Sequence, residues 1–160
     1  MFAIAAIGVL VALAGCGGSD DKPAAASQAT QPPAPERVRV QVGDVAVEAE
    51  VADDSLERAR GLSGRSRLSR DEGMLFLLPD DAPTFWMKGM RFGIDIVWIR
   101  GRRVVDVTGR IPAPRPGTPE SRLKTYSPSR AANNALEVRA GWAARNQVSV
   151  GDLVRVQDIP

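Results

Sequence analysis

Residues 73–99 read GMLFLLPDDAPTFWMKGMRFGIDIVWI. Three short apolar runs, 74–78, 84–88 and 94–99, are separated by breaks rich in Pro, Asp and Gly. Runs this short, bounded by turn residues, read as strands. The first and third are apolar on both faces, which predicts strands covered from both sides. Two charges sit awkwardly here. Asp95 lies between isoleucines in the third run, and Lys88 ends the second. An isolated buried carboxylate is costly, so Asp95 must pair, accept backbone hydrogen bonds or take up a proton. By alternation Trp86 shares one strand face with Lys88, and Phe85 shares the other with Met87.

Upstream, Val38, Val40 and Val42 alternate with polar residues, and Val45, Val47, Ala49 and Val51 resume the pattern after Gly43-Asp44. This is the signature of a hairpin. Asp54 with Glu57 resembles a capping box, and Gly61 is a helix stop, so 55–60 is expected to be a short helix with Leu56 and Ala59 towards the core. Arg58, Arg60, Arg65, Arg67 and Arg70 follow closely, as a solvated face or as an anion-binding rim. Downstream, 103–108 continues a meander from 94–99, and close spacing favours antiparallel pairing. The four prolines of 111–120 predict a stiff loop that crosses the end of a barrel or borders a groove. A strand at 133–139, a helical turn at 141–145 burying Trp142 and capped by Asn146, and a last strand at 153–156 complete the chain. Roughly seven to nine strands with two short helices predict a mainly β domain, a single compact antiparallel barrel or sandwich.

Composition narrows the chemistry. The net charge is +2 with scattered arginines, whereas a nucleic-acid partner calls for a basic face, so none is expected. The absence of histidine and the single cysteine exclude Ser-His-Asp and Cys-His catalysis, His/Cys zinc sites and an internal disulfide. The acidic pairs Asp53-Asp54, Asp71-Glu72 and Asp80-Asp81 lack the spacing of a calcium loop and read as turn residues. No metal and no cofactor is expected.

Residues 2–13 form an uncharged apolar run, too short to span a membrane and right for the core of a signal peptide. It ends in Leu13-Ala14-Gly15-Cys16, which resembles the lipobox of bacterial lipoproteins and places the sole cysteine at the lipidated position. The expected organisation is a signal peptide at 1–15, a lipidated Cys16 with a Gly/Ser/Ala/Pro-rich tether to 36, and one domain over 37–158. The chain is then extracytoplasmic, held on the cell membrane or outer membrane through Cys16 without crossing it.

Arg60-Gly61-Leu62, Gly73-Met74-Leu75-Phe76, Phe85-Trp86-Met87-Lys88, Ile94-Asp95-Ile96, Leu136-Glu137 with Ala140-Gly141, and Gly151-Asp152 follow one another in an order that resembles the bacterial and archaeal family called domain of unknown function 192. Ser63 and Gly89 depart from its pattern, where methionine and asparagine are usual. The resemblance implies a mainly β, jelly-roll-like fold, often secreted or membrane-anchored, and brings no catalytic residues with it.

The candidate site residues are therefore Trp86, Lys88, Asp95, Arg60 and Arg65. Either Asp95 pairs with Lys88, Arg60 or Arg65 to fix strand register, or these side chains line a pocket for a small anionic or sugar-like ligand. The leading reading is a non-catalytic binding or envelope-accessory module, with an envelope protein as the other partner class. The alternative is an enzyme acting on an envelope glycan or peptide through Asp95.

Overall fold

The computed structural model describes residues 35–79 and 83–158; the lipobox-like segment, all of the tether but Pro35-Glu36, and Asp80-Asp81 lie outside them. Nine strands are present among the described residues: β1 Arg37–Val42, β2 Val45–Ala52, β3 Glu72–Leu77, β4 Phe85–Trp86, β5 Ile94–Arg100, β6 Arg103–Ile111, β7 Thr125–Tyr126, β8 Asn134–Arg139 and β9 Val154–Asp158. Two short helices accompany them, α1 Ser55–Arg60 and α2 Trp142–Arg145. Seven strands form one curled sheet in the order β6-β5-β8-β3-β2-β1-β9, and β4 and β7 form a separate ribbon. The curl is a half-barrel, drawn together at one end by an antiparallel bridge between Arg103 and Leu153.

The β1–β2 hairpin forms as its alternation predicts, with Gly43 at φ +57° in the turn. The expected run of consecutive neighbours does not. β8 inserts between β3 and β5, and β2 pairs with β3 in parallel through a crossover containing α1. The second apolar run contributes only the two residues of β4. Asp54 caps α1 by accepting from the N–H groups of Leu56 and Glu57, both at 2.7 Å. The helix nevertheless lies on the surface: Leu56 is 74% exposed, not buried as its periodicity suggested. Asn146 does not adopt the left-handed conformation; Gln147, at φ +56°, does.

Alternation divides the buried residues between two cores. Inside the curl, Val40, Val47, Leu75, Val97, Leu136 and Val138 pack with Trp142 of α2. On the outer face of β3, β8 and β5, Met74, Phe76, Ile94, Ile96, Trp98 and Ala135 pack under Leu62, Leu68, Met87 and Met90 from the loops. The first and third apolar runs are thus covered on both faces, as read. Phe85 stands edge-on to Phe76 and to Trp98, with centroids 5.0 and 5.3 Å apart, and pins β4 to the outer core.

Candidate functional site

Asp95 and Lys88 do not meet. Along β5 the side chains of Ile94, Ile96 and Trp98 enter the outer core, whereas Val97 and Ile99 enter the inner one, so Asp95 points inward. There its Oδ1 accepts from the N–H groups of Arg110 at 2.6 Å and Gly141 at 2.8 Å, and its Oδ2 from Ala143 at 2.9 Å. Asp95 therefore staples the start of α2 and the far end of β6 onto β5. The pairing expected with Lys88, Arg60 or Arg65 is replaced by backbone amides, because those cations lie on the other side of the sheet.

Arg65 is also structural. It makes a two-pronged pair with Glu50, at 2.7 and 2.6 Å, on the outer face of β2. Its guanidinium holds the Glu50 carboxyl below the usual glutamate range, with a smaller contribution from Arg37. The pair ties the loop after α1 to the sheet.

The remaining three candidates, Arg60, Trp86 and Lys88, are brought together. They line an open cleft of about 310 Å³ over the outer face, with Phe76, Phe85 and Leu62 among its apolar walls. Trp86 is 48% exposed, and the Lys88 ammonium lies 5.2 Å from its ring centroid, within cation–π range. Lys88 also pairs with Glu120 at 2.7 Å, both side chains being largely solvated. Arg58 is committed to the carbonyl oxygens of Asp53 and Leu77. The Arg60 carbonyl accepts from the Ser63 N–H, but its guanidinium makes no hydrogen bond or ion pair with the described residues.

The residue that the sequence reading passed over as a site lies in the same cleft. Glu137 is the middle position of β8, with Met74 of β3 and Ile96 of β5 as its register partners. It is only 6% exposed, and its carboxyl makes no hydrogen bond or ion pair among the described residues. Burial alone pushes its pKa up to about 8, because no charge or donor nearby stabilises the anion. At neutral pH it is a carboxylic acid facing the cleft, able to donate as well as accept. Gly73 is needed beside it: a Cβ there would lie 2.9 Å from the Glu137 carbonyl oxygen, too close for any side chain. On the rim, Gly89 at φ +69° touches Ser63, so the two departures from the family pattern are neighbours.

A larger hollow of about 650 Å³ opens at the other side of the sheet, lined by Val38, Val51, Leu75, Ile99 and Val154 with a charged rim. Its charged lining residues among those described, Glu36, Asp53, Arg102, Arg155 and Asp158, are all exposed, and volume alone does not make a site. The prolines border a smaller groove, where Pro112 and Pro114 meet Met87 and Tyr126. No group of three or more Asp, Glu or Cys residues among the described residues is placed to hold a metal.

A family model matches residues 38–156, that of DUF192, an uncharacterized ACR. The chain belongs to the DUF192 family. No curated protein matches it. Two solved structures resemble it over most of its length. One, a protein of unknown function from Novosphingobium aromaticivorans DSM 12444, is 29% identical with a TM-score of 0.66, covering 87% of this chain and 99% of its own. The other, from Sinorhizobium meliloti 1021 and provisionally described as a transcription regulator, is 26% identical with a TM-score of 0.64, covering 77% of this chain and 94% of its own. This DUF192 chain thus carries, in the Leu136-Glu137 motif, the carboxyl at the base of its cleft.

Proposed function

We propose that this DUF192 protein is a lipid-anchored extracytoplasmic binding module whose small-molecule site is the cleft over Glu137. One observation carries the reading. Glu137 is a largely buried residue whose carboxyl reaches only the cleft and has no hydrogen-bond or ion-pair partner among the described residues, and so poorly hydrated a group destabilises the fold that holds it. An aliphatic side chain would serve packing better. A cleft with an aromatic wall and a few convergent polar groups suits a ligand site. The anchor is supported by Leu13-Ala14-Gly15-Cys16 after the apolar run.

Two experiments test the two halves. Fatty-acid labelling of the mature protein is expected to vanish in Cys16→Ala; labelling that survives the change removes the anchor. For the site, a thermal-shift screen of the purified full chain against sugars, anions, peptides and metals is expected to yield a stabilising ligand. Lys88→Ala should then abolish the shift while moving the unliganded midpoint little, because an exposed ion pair contributes about 0–1 kcal/mol. A protein indifferent to the whole library sinks the site.

The enzyme reading moves from Asp95, whose lone pairs are taken by amides, to Glu137. A carboxyl kept protonated at neutral pH suits a general acid. Glycoside hydrolysis usually needs a second carboxylate across the cleft, and Glu137 is the only one lining it among the described residues. Binding without turnover is therefore favoured. Release of product from the ligand, lost in Glu137→Gln, would reverse the choice.

A further inference from the structure

The charges around the cleft specify more than a site; building on the ligand reading above, they specify the class of ligand. We infer that the cleft selects a compact hydroxylated organic anion of about one sugar ring, its anionic group at Arg60 and Lys88 and a neutral oxygen accepting from the Glu137 carboxyl.

Three observations converge. Among the described residues, the charged lining groups are Arg58, Arg60 and Lys88 on the rim and Glu137 at the base. Arg58 is occupied by backbone carbonyls, which leaves the Arg60 guanidinium free of partners among the described residues, and Lys88 held by a solvent-exposed pair to Glu120 and its contact with the Trp86 ring. An incoming carboxylate or phosphate can take Glu120's place at small cost, since such pairs contribute about 0–1 kcal/mol. Among the described lining residues an ammonium group finds no ionised carboxylate, so amino acids, peptide amino termini and polyamines are disfavoured.

The base of the cleft sets the polarity of the other end. The strands flanking Glu137 present Met74 and Ile96 beside it, and neither can donate to or ionise against it. An ionised Glu137 would be stranded among apolar side chains and would repel an anion above it. As the acid it donates to a hydroxyl, ring or carbonyl oxygen without repulsion. Trp86, half exposed on the rim, offers a ring face to the C–H face of a sugar. The cleft's 310 Å³ lies at the small end of ligand sites, which start at about 300 Å³, and admits one ring rather than an oligomer.

Because the donor must carry its proton, affinity is expected to be flat through neutral pH and to fall about tenfold between pH 7 and pH 9 as Glu137, with its pKa of about 8, ionises. The test is isothermal titration of the purified full chain with galacturonate (a carboxylate), glucose 6-phosphate (a phosphate) and galactose (neutral) at both pH values, and with galactosamine at pH 7, where its amine is largely protonated. One or both acids should bind, distinguishing carboxylate from phosphate, with galactose and galactosamine at least tenfold weaker. Arg60→Ala should erase the preference for the acids. Glu137→Gln, which cannot ionise, should flatten the pH profile. Neutral or cationic sugars binding as tightly as the acids overturn the inference, as does a wild-type profile flat to pH 9. A fall with pH that persists in Glu137→Gln overturns it too. In each of these cases the site itself stands, provided Lys88→Ala still abolishes the ligand-induced shift. If the acids do not bind and the library hit is neutral or cationic, the ligand class is wrong; if nothing binds at all, the site falls with it.

Discussion

Asp95→Ala is expected to cost on the order of 4 kcal/mol, from three backbone donors left without an acceptor at about 1–3 kcal/mol each. Two of them, the N–H groups of Gly141 and Ala143, are fully buried and open α2, whose Trp142 packs into the inner core. A domain of this size has only about 5–15 kcal/mol of stability in total, so the variant should be partly unfolded at physiological temperature. Asp95→Asn is the sharper test. Its amide oxygen can keep the Arg110 and Gly141 bonds made by Oδ1, but its NH2 then faces the Ala143 N–H across 2.9 Å, donor against donor. A loss of about 2 kcal/mol is expected, or a fall in midpoint of roughly 8 °C by circular dichroism. An Asn variant that melts with the wild type would mean that the amide staple contributes nothing.

Glu137→Met should act in the opposite direction, raising stability while removing the ligand-induced shift. The sign follows from proton binding. In the unfolded chain the carboxyl ionises near 4.5, and in the fold it keeps its proton up to about 8. Between those values the folded state holds the extra proton, so this group's contribution is complete below pH 4.5, declines as pH rises and is exhausted above pH 8. At pH 7 the loss is on the order of 3 kcal/mol, and an apolar side chain between Met74 and Ile96 escapes it. The variant's midpoint should exceed the wild type's by roughly 10 °C at pH 7, and the gap should narrow towards pH 5. Thermal melts across pH 4–9 measure this directly. A Met variant less stable than wild type at pH 7 would show that Glu137 serves the fold and not a ligand. Glu50 titrates against this trend: its carboxyl, held low chiefly by Arg65, contributes stability above pH 4.5 that is lost as pH falls further.

Local chemistry made much of the domain readable from residues alone. The β1–β2 hairpin follows from alternation around Gly43-Asp44, the capped start of α1 from Asp54 and Glu57, and the doubly covered β3 and β5 from unbroken apolar runs. The ordered motifs placed the chain in its family. Each signal acts over a few residues, through backbone geometry or a single side-chain bond, and so survives without knowledge of neighbours.

The site was only half legible for the same reason. Alternation states which side chains share a face of a strand, but not what covers that face. In β8, Leu136 and Val138 point inward, and Glu137 occupies the position that in a half-exposed strand would meet water. Only the tertiary structure, by inserting β8 between β3 and β5 and laying the loops of Leu62 and Met90 over it, turns that position into the floor of a cleft. Asp95 shows the reverse case. Its burial was readable from the isoleucines beside it, but its partners at Gly141 and Ala143 lie 46 and 48 residues away and are backbone amides with no side-chain signature. The residues alone thus indicated the main strands, the family and the awkwardness of Asp95, but not the short ribbon of β4 and β7. Long-range strand order decided which carboxylate is satisfied and which is left facing a cleft, because hydrogen-bond partners and dielectric surroundings belong to the assembled sheet.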